Sequence, residues 1–173
     1  LEIISSQNRP FADSSNPEEL FTRHWGKALL QLPDKKTVSV HSAHLWPFKR
    51  EENDTRIRMS EIDALLASVK NDLDNNADSV LLQGDLNHSP DMPEYKHLNT
   101  GLLKDAFVEA GTENGFGYTH DSIHPAKRID FIYAAGELSK GILNCETLNQ
   151  GNFRMDINDP KGYALSDHLP VMA

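Results

Sequence analysis

The sequence has 173 residues, 38% hydrophobic and 25% charged, the composition of one ordinary globular domain, and no apolar run in it is long enough to span a membrane. Lys and Arg number 17 against 26 Asp and Glu, so the net charge of -9 excludes a broad basic surface for neutralising phosphates, and any nucleic-acid contact has to be local. The single cysteine, Cys145, excludes an intrachain disulfide or a cysteine-built zinc site and leaves the compartment open, while nothing at the start reads as an intact signal peptide.

Leu1 to Ser6 is apolar with no preceding turn or cap, and it reads as a strand entered in mid-sequence. Gln7 to Pro17, rich in Asn, Ser and Pro, reads as loop. Lys27 to Leu32 and Thr37 to Ala43 flank the turn-like Pro33-Asp34-Lys35-Lys36 and predict a β-hairpin. Met59, Ile62, Leu65, Leu66, Val69 and Leu73 recur at three- and four-residue spacing, which predicts a helix capped at Asp54 or Thr55 and ending near Leu73.

Ser79 to Gln83 is a short apolar run, a buried strand that meets the surface at Gly84-Asp85-Leu86-Asn87. Short helices are expected over Pro93 to Asn99 and Leu102 to Ala110. Strands are expected over Ile129 to Ala134 and Leu138 to Leu148. A long loop over Asn149 to Gly162 leads to a last strand around Leu169 to Met172.

Four polar clusters sit at strand ends. In His41-Ser42-Ala43-His44-Leu45, alternation turns His41 and His44 to opposite faces, which argues against a shared metal; a hydrogen-bonded structural histidine is the competing reading of His44. In Gly84-Asp85-Leu86-Asn87, a carboxylate and an amide two residues apart point the same way from an extended backbone, or else form a strand-ending Asx turn. Asp130 lies inside the apolar strand Arg128-Ile129-Asp130-Phe131-Ile132 and needs a histidine, cation or metal, with Arg128 the bland partner. In Ser166-Asp167-His168-Leu169-Pro170-Val171, neighbours point apart, so Asp167 suits a divalent cation and His168 a second carboxylate. Oxygen donors favour Mg²⁺, Mn²⁺ or Ca²⁺ over a structural zinc.

In this order and rough spacing, Ser42-Ala43-His44-Leu45, Gly84-Asp85-Leu86-Asn87, Arg128 to Ile132 and Ser166 to Val171 resemble the endonuclease/exonuclease/phosphatase (DNase I-like) superfamily. The resemblance implies an α/β fold, a four-layer α/β/β/α sandwich of two mixed sheets, with the site at one end. It makes His168 the catalytic histidine and Asp130 its orienting partner. Asp85 then activates or positions the attacking water, Asn87 holds nucleophile and phosphate, His44 contacts the phosphate and Asp167 ligates the metal. Ser42 stands where many members carry asparagine. Arg56 or Arg58 matches the neighbourhood of an arginine in some members, against the plain reading of each as a solvated helix-surface arginine.

The superfamily's front half carries an asparagine motif and a metal-binding glutamate that are not found here, and Glu2 lies in the wrong context to replace the latter. Residues 1–173 are therefore expected to form a single incomplete domain lacking its N-terminal half. The expected activity is metal-dependent hydrolysis of a phosphate ester by a monomer, first a nuclease or other phosphodiesterase, with nucleic acid one substrate class. The alternatives are a phosphatase acting on a small molecule or lipid headgroup, and a non-catalytic fragment. Trp46, Phe48 and Phe153 are candidates for a substrate rim, with core or loop packing the competing role.

Overall fold

A computed structural model describes residues 1–11, 24–48, 52–99, 101–111, 117–149, 154–159, 162 and 165–173. Residues 12–17 of the expected loop and Phe153 lie outside them. The architecture is α/β, with strands β1 (Glu2–Pro10), β2 (His24–Gln31), β3 (Thr37–His44), β4 (Ser79–Asp85), β5 (Lys104–Asp105) and β6 (Asp130–Gly136) in one mixed sheet. Its order is β1-β2-β3-β4-β6-β5, and only β3 and β4 run parallel. Strands β7 (Glu146–Thr147) and β8 (Val171–Met172) form a separate two-stranded ribbon, and β8 packs against β6.

The parallel step needs a crossover, which the helix α1 (Glu52–Asn75) supplies. It buries Ile62, Leu65 and Val69 on Val80 and Leu82 of β4 and Phe131, Tyr133 and Ala135 of β6. Those strand residues share one face because Val80 pairs with Ala135 and Leu82 with Tyr133. The helix α2 (Pro93–Leu98) covers the same face through Leu98 and Tyr95. The hairpin forms as expected: Lys35 takes a left-handed φ of 72° and its N–H bonds the Leu32 carbonyl at 3.0 Å.

Helix α1 starts at Glu52 rather than at Asp54 or Thr55, because Asp54 is spent on the Trp46 indole, whose Nε1 donates to Oδ1 at 2.7 Å. The expected loop from Gln7 is strand as far as Pro10, since Gln7, Asn8 and Arg9 pair with Lys27, Gly26 and Trp25 of β2. Residues 102–110 are not one helix. Lys104 and Asp105 pair with β6, and the Asp105 carboxylate then caps the single-turn α3 (Ala106–Glu109) by accepting from Phe107 N at 3.0 Å.

The expected strand over 138–148 is a 3₁₀ turn, Glu137–Lys140, followed by strand only at Glu146–Thr147. Gly136, at φ 71°, ends β6 there, and a Cβ on it would stand 2.3 Å from the Asp78 carbonyl. Arg58 is not solvated. It is 1% exposed, its guanidinium bonds Glu94 at 2.7 Å and the carbonyls of Trp46 and Phe48, and it fixes the connection that leaves β3. Arg56 stays at the surface and bonds Asn53.

Candidate active site

Strand register builds the first row of the site. His44 at the end of β3 pairs with Asp85 of β4, and Asp85 pairs with Asp130 of β6, so the three lie in line across adjacent strands. The step from Gly84 to Asp85 is possible only because residue 84 lacks a side chain: its φ is 135°, and a Cβ there would lie 1.9 Å from the Ala43 carbonyl oxygen. The adjacent histidine of β3 goes the other way, as alternation requires. His41 is fully buried and bonds Asp72 of α1 at 2.9 Å, whereas His44 is largely exposed, with Nε2 at 3.6 Å from Asp85 Oδ2.

A backbone pairing distant in sequence delivers His168. Leu169 N donates to the Thr119 carbonyl at 2.8 Å and Ser122 N to the Asp167 carbonyl at 2.9 Å, which sets His120 and His168 opposite each other as an antiparallel bridge. Thr119, fully buried, also accepts from the N–H groups of Ile129 and Asp130 at 3.2 Å each, tying this pair to the start of β6. His168 Nδ1 then bonds Asp130 Oδ2 at 2.8 Å, and its Nε2 lies 3.8 Å from Asp85 Oδ2. Arg128 does not partner Asp130. It turns to Asp105, at 2.8 and 3.0 Å, because β6 starts only at Asp130 and alternation does not extend back to Arg128.

Both readings of Gly84 to Asn87 hold in part. Asp85 Oδ1 accepts from Asn87 N at 2.9 Å, an Asx turn, while Oδ2 faces the two histidines. Asn87 is not extended: it has φ 51°, is buried, and its amide donates to the Leu45 carbonyl at 3.0 Å. Beside the row opens a cleft of about 380 Å³ bounded by Ser42, Gln83, Asp130, Ile132, Ser166 and His168. Trp46 and Phe48 pack edge to face at 5.2 Å near the helix start.

The electrostatics follow from this crowding. Burial lifts the Asp85 carboxyl above its ordinary pKa of 3.8, and the Asp130 charge adds to the rise against the lowering pull of Asn87, His44 and His168. For His168 burial is the largest single influence and acts downward. The Asp130 bond and the charges of Asp130, Asp85 and Asp167 together outweigh it, so its pKa stands above 6.5.

Asp167 is exposed, and its carboxylate comes within 4.8 Å of ring nitrogens of both His120 and His168. Asp85, Asp130 and His168 form a second group of that kind. His120 was not singled out in the sequence, because only the pairing of residues 119–122 with 167–169 brings it here. Arg154, in the long loop, is another residue without a sequence signal. It is buried and donates to the carbonyls of Asn149, Ser122 and Gly162, pinning that loop to the same segment.

No family model and no curated protein matches the sequence. Solved structures do match. Truncated Caenorhabditis elegans TDP2 is 19% identical with a TM-score of 0.67, over 98% of this chain and 64% of its own. An endonuclease/exonuclease/phosphatase family protein from Bacteroides thetaiotaomicron is 17% identical with a TM-score of 0.67, over 98% and 64%. This chain has the endonuclease/exonuclease/phosphatase fold. A mannosyl-6-phosphatase from Bacteroides thetaiotaomicron shares that fold at 15% identity and a TM-score of 0.72, over 98% of this chain and 65% of its own. The chain thus spans less than two thirds of the length of each of these endonuclease/exonuclease/phosphatase-fold proteins.

Proposed function

We propose that the protein hydrolyses phosphate esters by in-line attack of water, as a phosphodiesterase or nuclease. The observation that carries this reading is the row His44, Asp85, Asp130 with His168 bonded to Asp130 at 2.8 Å and 3.8 Å from Asp85, beside an open cleft. Asp130 holds the His168 ring with Nδ1–H toward itself and leaves Nε2 facing Asp85. With Oδ1 occupied by the Asn87 N–H, Asp85 Oδ2 is the oxygen that orients the water and takes its proton. His168, its pKa raised, meets the phosphate as a cation and stabilises the charge that develops on it, His44 contacts its oxygens, and Asn87 reaches them only with the amide hydrogen that it does not give to the Leu45 carbonyl.

The donors here suit a hard divalent cation, Mg²⁺ or alternatively Mn²⁺ or Ca²⁺, because three of them are aspartates and Mg²⁺ needs only one or two protein carboxylates beside water and phosphate. Asp167 would hold it, and bound there it supplies neutralisation of phosphate charge. The superfamily's four-layer sandwich is consistent with the sheet face that carries Val40 and Leu81, which are only half-buried among the described residues and where a second sheet would pack. The coverage of the related structures supports reading residues 1–173 as a single incomplete domain.

A TDP2 structure from D. rerio is complexed with single strand DNA product, which makes nucleic acid one substrate class to test; the mannosyl-6-phosphatase makes a phosphomonoester the other. No helix among the described residues is long and apolar enough to cross a membrane. The deciding experiment incubates the protein and its His168→Ala variant with Mg²⁺ or Mn²⁺ and plasmid DNA, a chromogenic phosphodiester and a phosphomonoester, with chelator controls. Chelator-sensitive turnover lost in the variant supports the reading, and the preferred ester names the class. Turnover equal in His168→Ala, or absent with every ester, overturns it.

A further inference from the structure

We infer that His120, Asp167 and His168 form a binding site for one borderline transition-metal ion of the zinc and cobalt(II) class, which shares Asp167 with the hard cation assigned above and competes with it. Two imidazoles and one carboxylate are the three-ligand set that such ions take while keeping an open position, and imidazole is a poor ligand for Mg²⁺ or Ca²⁺. The ligand atoms of the three residues lie within 4.8 Å of one another. A tetrahedral zinc with bonds of about 2.1 Å wants its ligand atoms about 3.4 Å apart, so closure needs only a small turn of side chains.

Three further features favour that closure. The antiparallel bridge between His120 and His168 fixes the two backbones as direct opposites, and their rings meet edge to face at 5.0 Å. His168 Nδ1 is already engaged by the Asp130 carboxylate at 2.8 Å, which leaves Nε2 to ligate; a metal-bound histidine is ordinarily held by this kind of outer carboxylate. Asp167 is exposed and free to swing, and its backbone carbonyl is anchored by Ser122 N. The hydrolytic reading uses no property of His120, so the site adds a residue that reading leaves idle.

Occupancy would take His168 and Asp167 out of the hydrolytic arrangement, a consequence that rests on the function proposed above, whereas the binding itself does not. The test titrates Zn²⁺ calorimetrically, and Co²⁺ by visible absorption, into the chain and into His120→Phe, with His124→Ala as an exposed control in the same segment. One Zn²⁺ per chain, weakened at least about tenfold in His120→Phe and unchanged in His124→Ala, supports the site. So does a Co²⁺ spectrum of low-coordinate, nitrogen-ligated type that His120→Phe loses.

Should His120→Phe fail to fold by circular dichroism, Zn²⁺-induced shifts of the His120 and His168 imidazole resonances in the unaltered chain decide instead. Absence of stoichiometric binding, equal binding by His120→Phe, or unshifted His120 resonances overturns the proposal. These readouts need no turnover, so they fail separately from the phosphoesterase reading. If turnover is found, added Zn²⁺ suppresses it more in the unaltered protein than in His120→Phe.

Discussion

Asp85 and Asp130 stand directly opposite each other on antiparallel β4 and β6, two carboxylates in register at the same end of the sheet. Like charges so placed repel. His168 answers them from a third segment, with one ring nitrogen on Asp130 and the other facing Asp85. Burial, with the Asp130 charge adding to it, raises the Asp85 carboxyl, and the bond to Asp130 with the carboxylate charges raises the His168 imidazole against its own burial, so the crowding that makes the site's chemistry also costs stability.

That cost predicts the behaviour of Asp85→Asn. The Asp85 pKa in the fold lies above its unfolded value, so its contribution to stability is full below the unfolded pKa and is lost as pH rises through the folded one. At neutral pH the amide variant, which can still accept from Asn87 N, unfolds at a higher temperature by roughly 2–4 °C, the shift produced by about 1 kcal/mol in a chain of this size. Calorimetry checks the Tm. In the same variant, turnover is abolished if Asp85 takes the water proton.

Asp130→Asn removes the counter-charge of His168 while leaving the ring its neighbour. Burial, which acts downward, then meets less opposition, and the His168 pKa falls. A proton NMR titration of the His168 ring reads this directly, and an unchanged midpoint would remove Asp130 from its orienting role. A fall in kcat of about 10²- to 10⁴-fold accompanies it, with KM nearly unchanged.

The buried group on the far side of β3 predicts acid lability. His41 is held below its ordinary 6.5, first by burial, which outweighs the raising influence of Asp72, with Lys27 and Arg9 adding to the fall. Burial is also the largest influence on Asp72 and raises it, but bonds from Lys27, Ser39 and His41 together bring it below 3.8. Both pKa values are depressed by folding, so each contribution is present above the unfolded value and lost as pH falls. Stability therefore declines in two windows, from 6.5 downward for His41 and from 3.8 downward for Asp72. Urea midpoints measured from neutrality into acid show both in the unaltered chain, and His41→Gln lacks the upper one.

Arg58 and Glu94 form a pair of side chains that are 1% and 0% exposed, linking α1 to α2. Arg58→Ala leaves a buried carboxylate without its cation and costs about 3–5 kcal/mol in urea denaturation. Arg58→Met combined with Glu94→Leu recovers most of that loss, because an apolar pair of similar volume carries no desolvation penalty. A double variant as unstable as the single one would mean that the bonds from Arg58 to the Trp46 and Phe48 carbonyls matter more than the charge pair.

What was legible in the sequence is what local chemistry controls. The spacing of Ile62, Leu65 and Val69 determined the helix, Pro33 to Lys36 the hairpin turn, and alternation the opposite fates of His41 and His44. Asp130 stands out in the sequence because an acid inside an apolar strand is costly without a partner, whereas the roles of His44, Asp85 and His168 are legible only through the resemblance that the four motifs carry together. Tertiary structure decided which partners they took. Strand register aligned His44, Asp85 and Asp130, and long-range backbone bonds from Thr119 and Ser122 brought His120 to His168. Arg58 became a buried tie rather than a solvated side chain because Glu94, on another helix, offered it a charge. Periodicity speaks for neighbours within a turn or a strand, and pairing across long stretches of chain is set by the fold's packing as a whole.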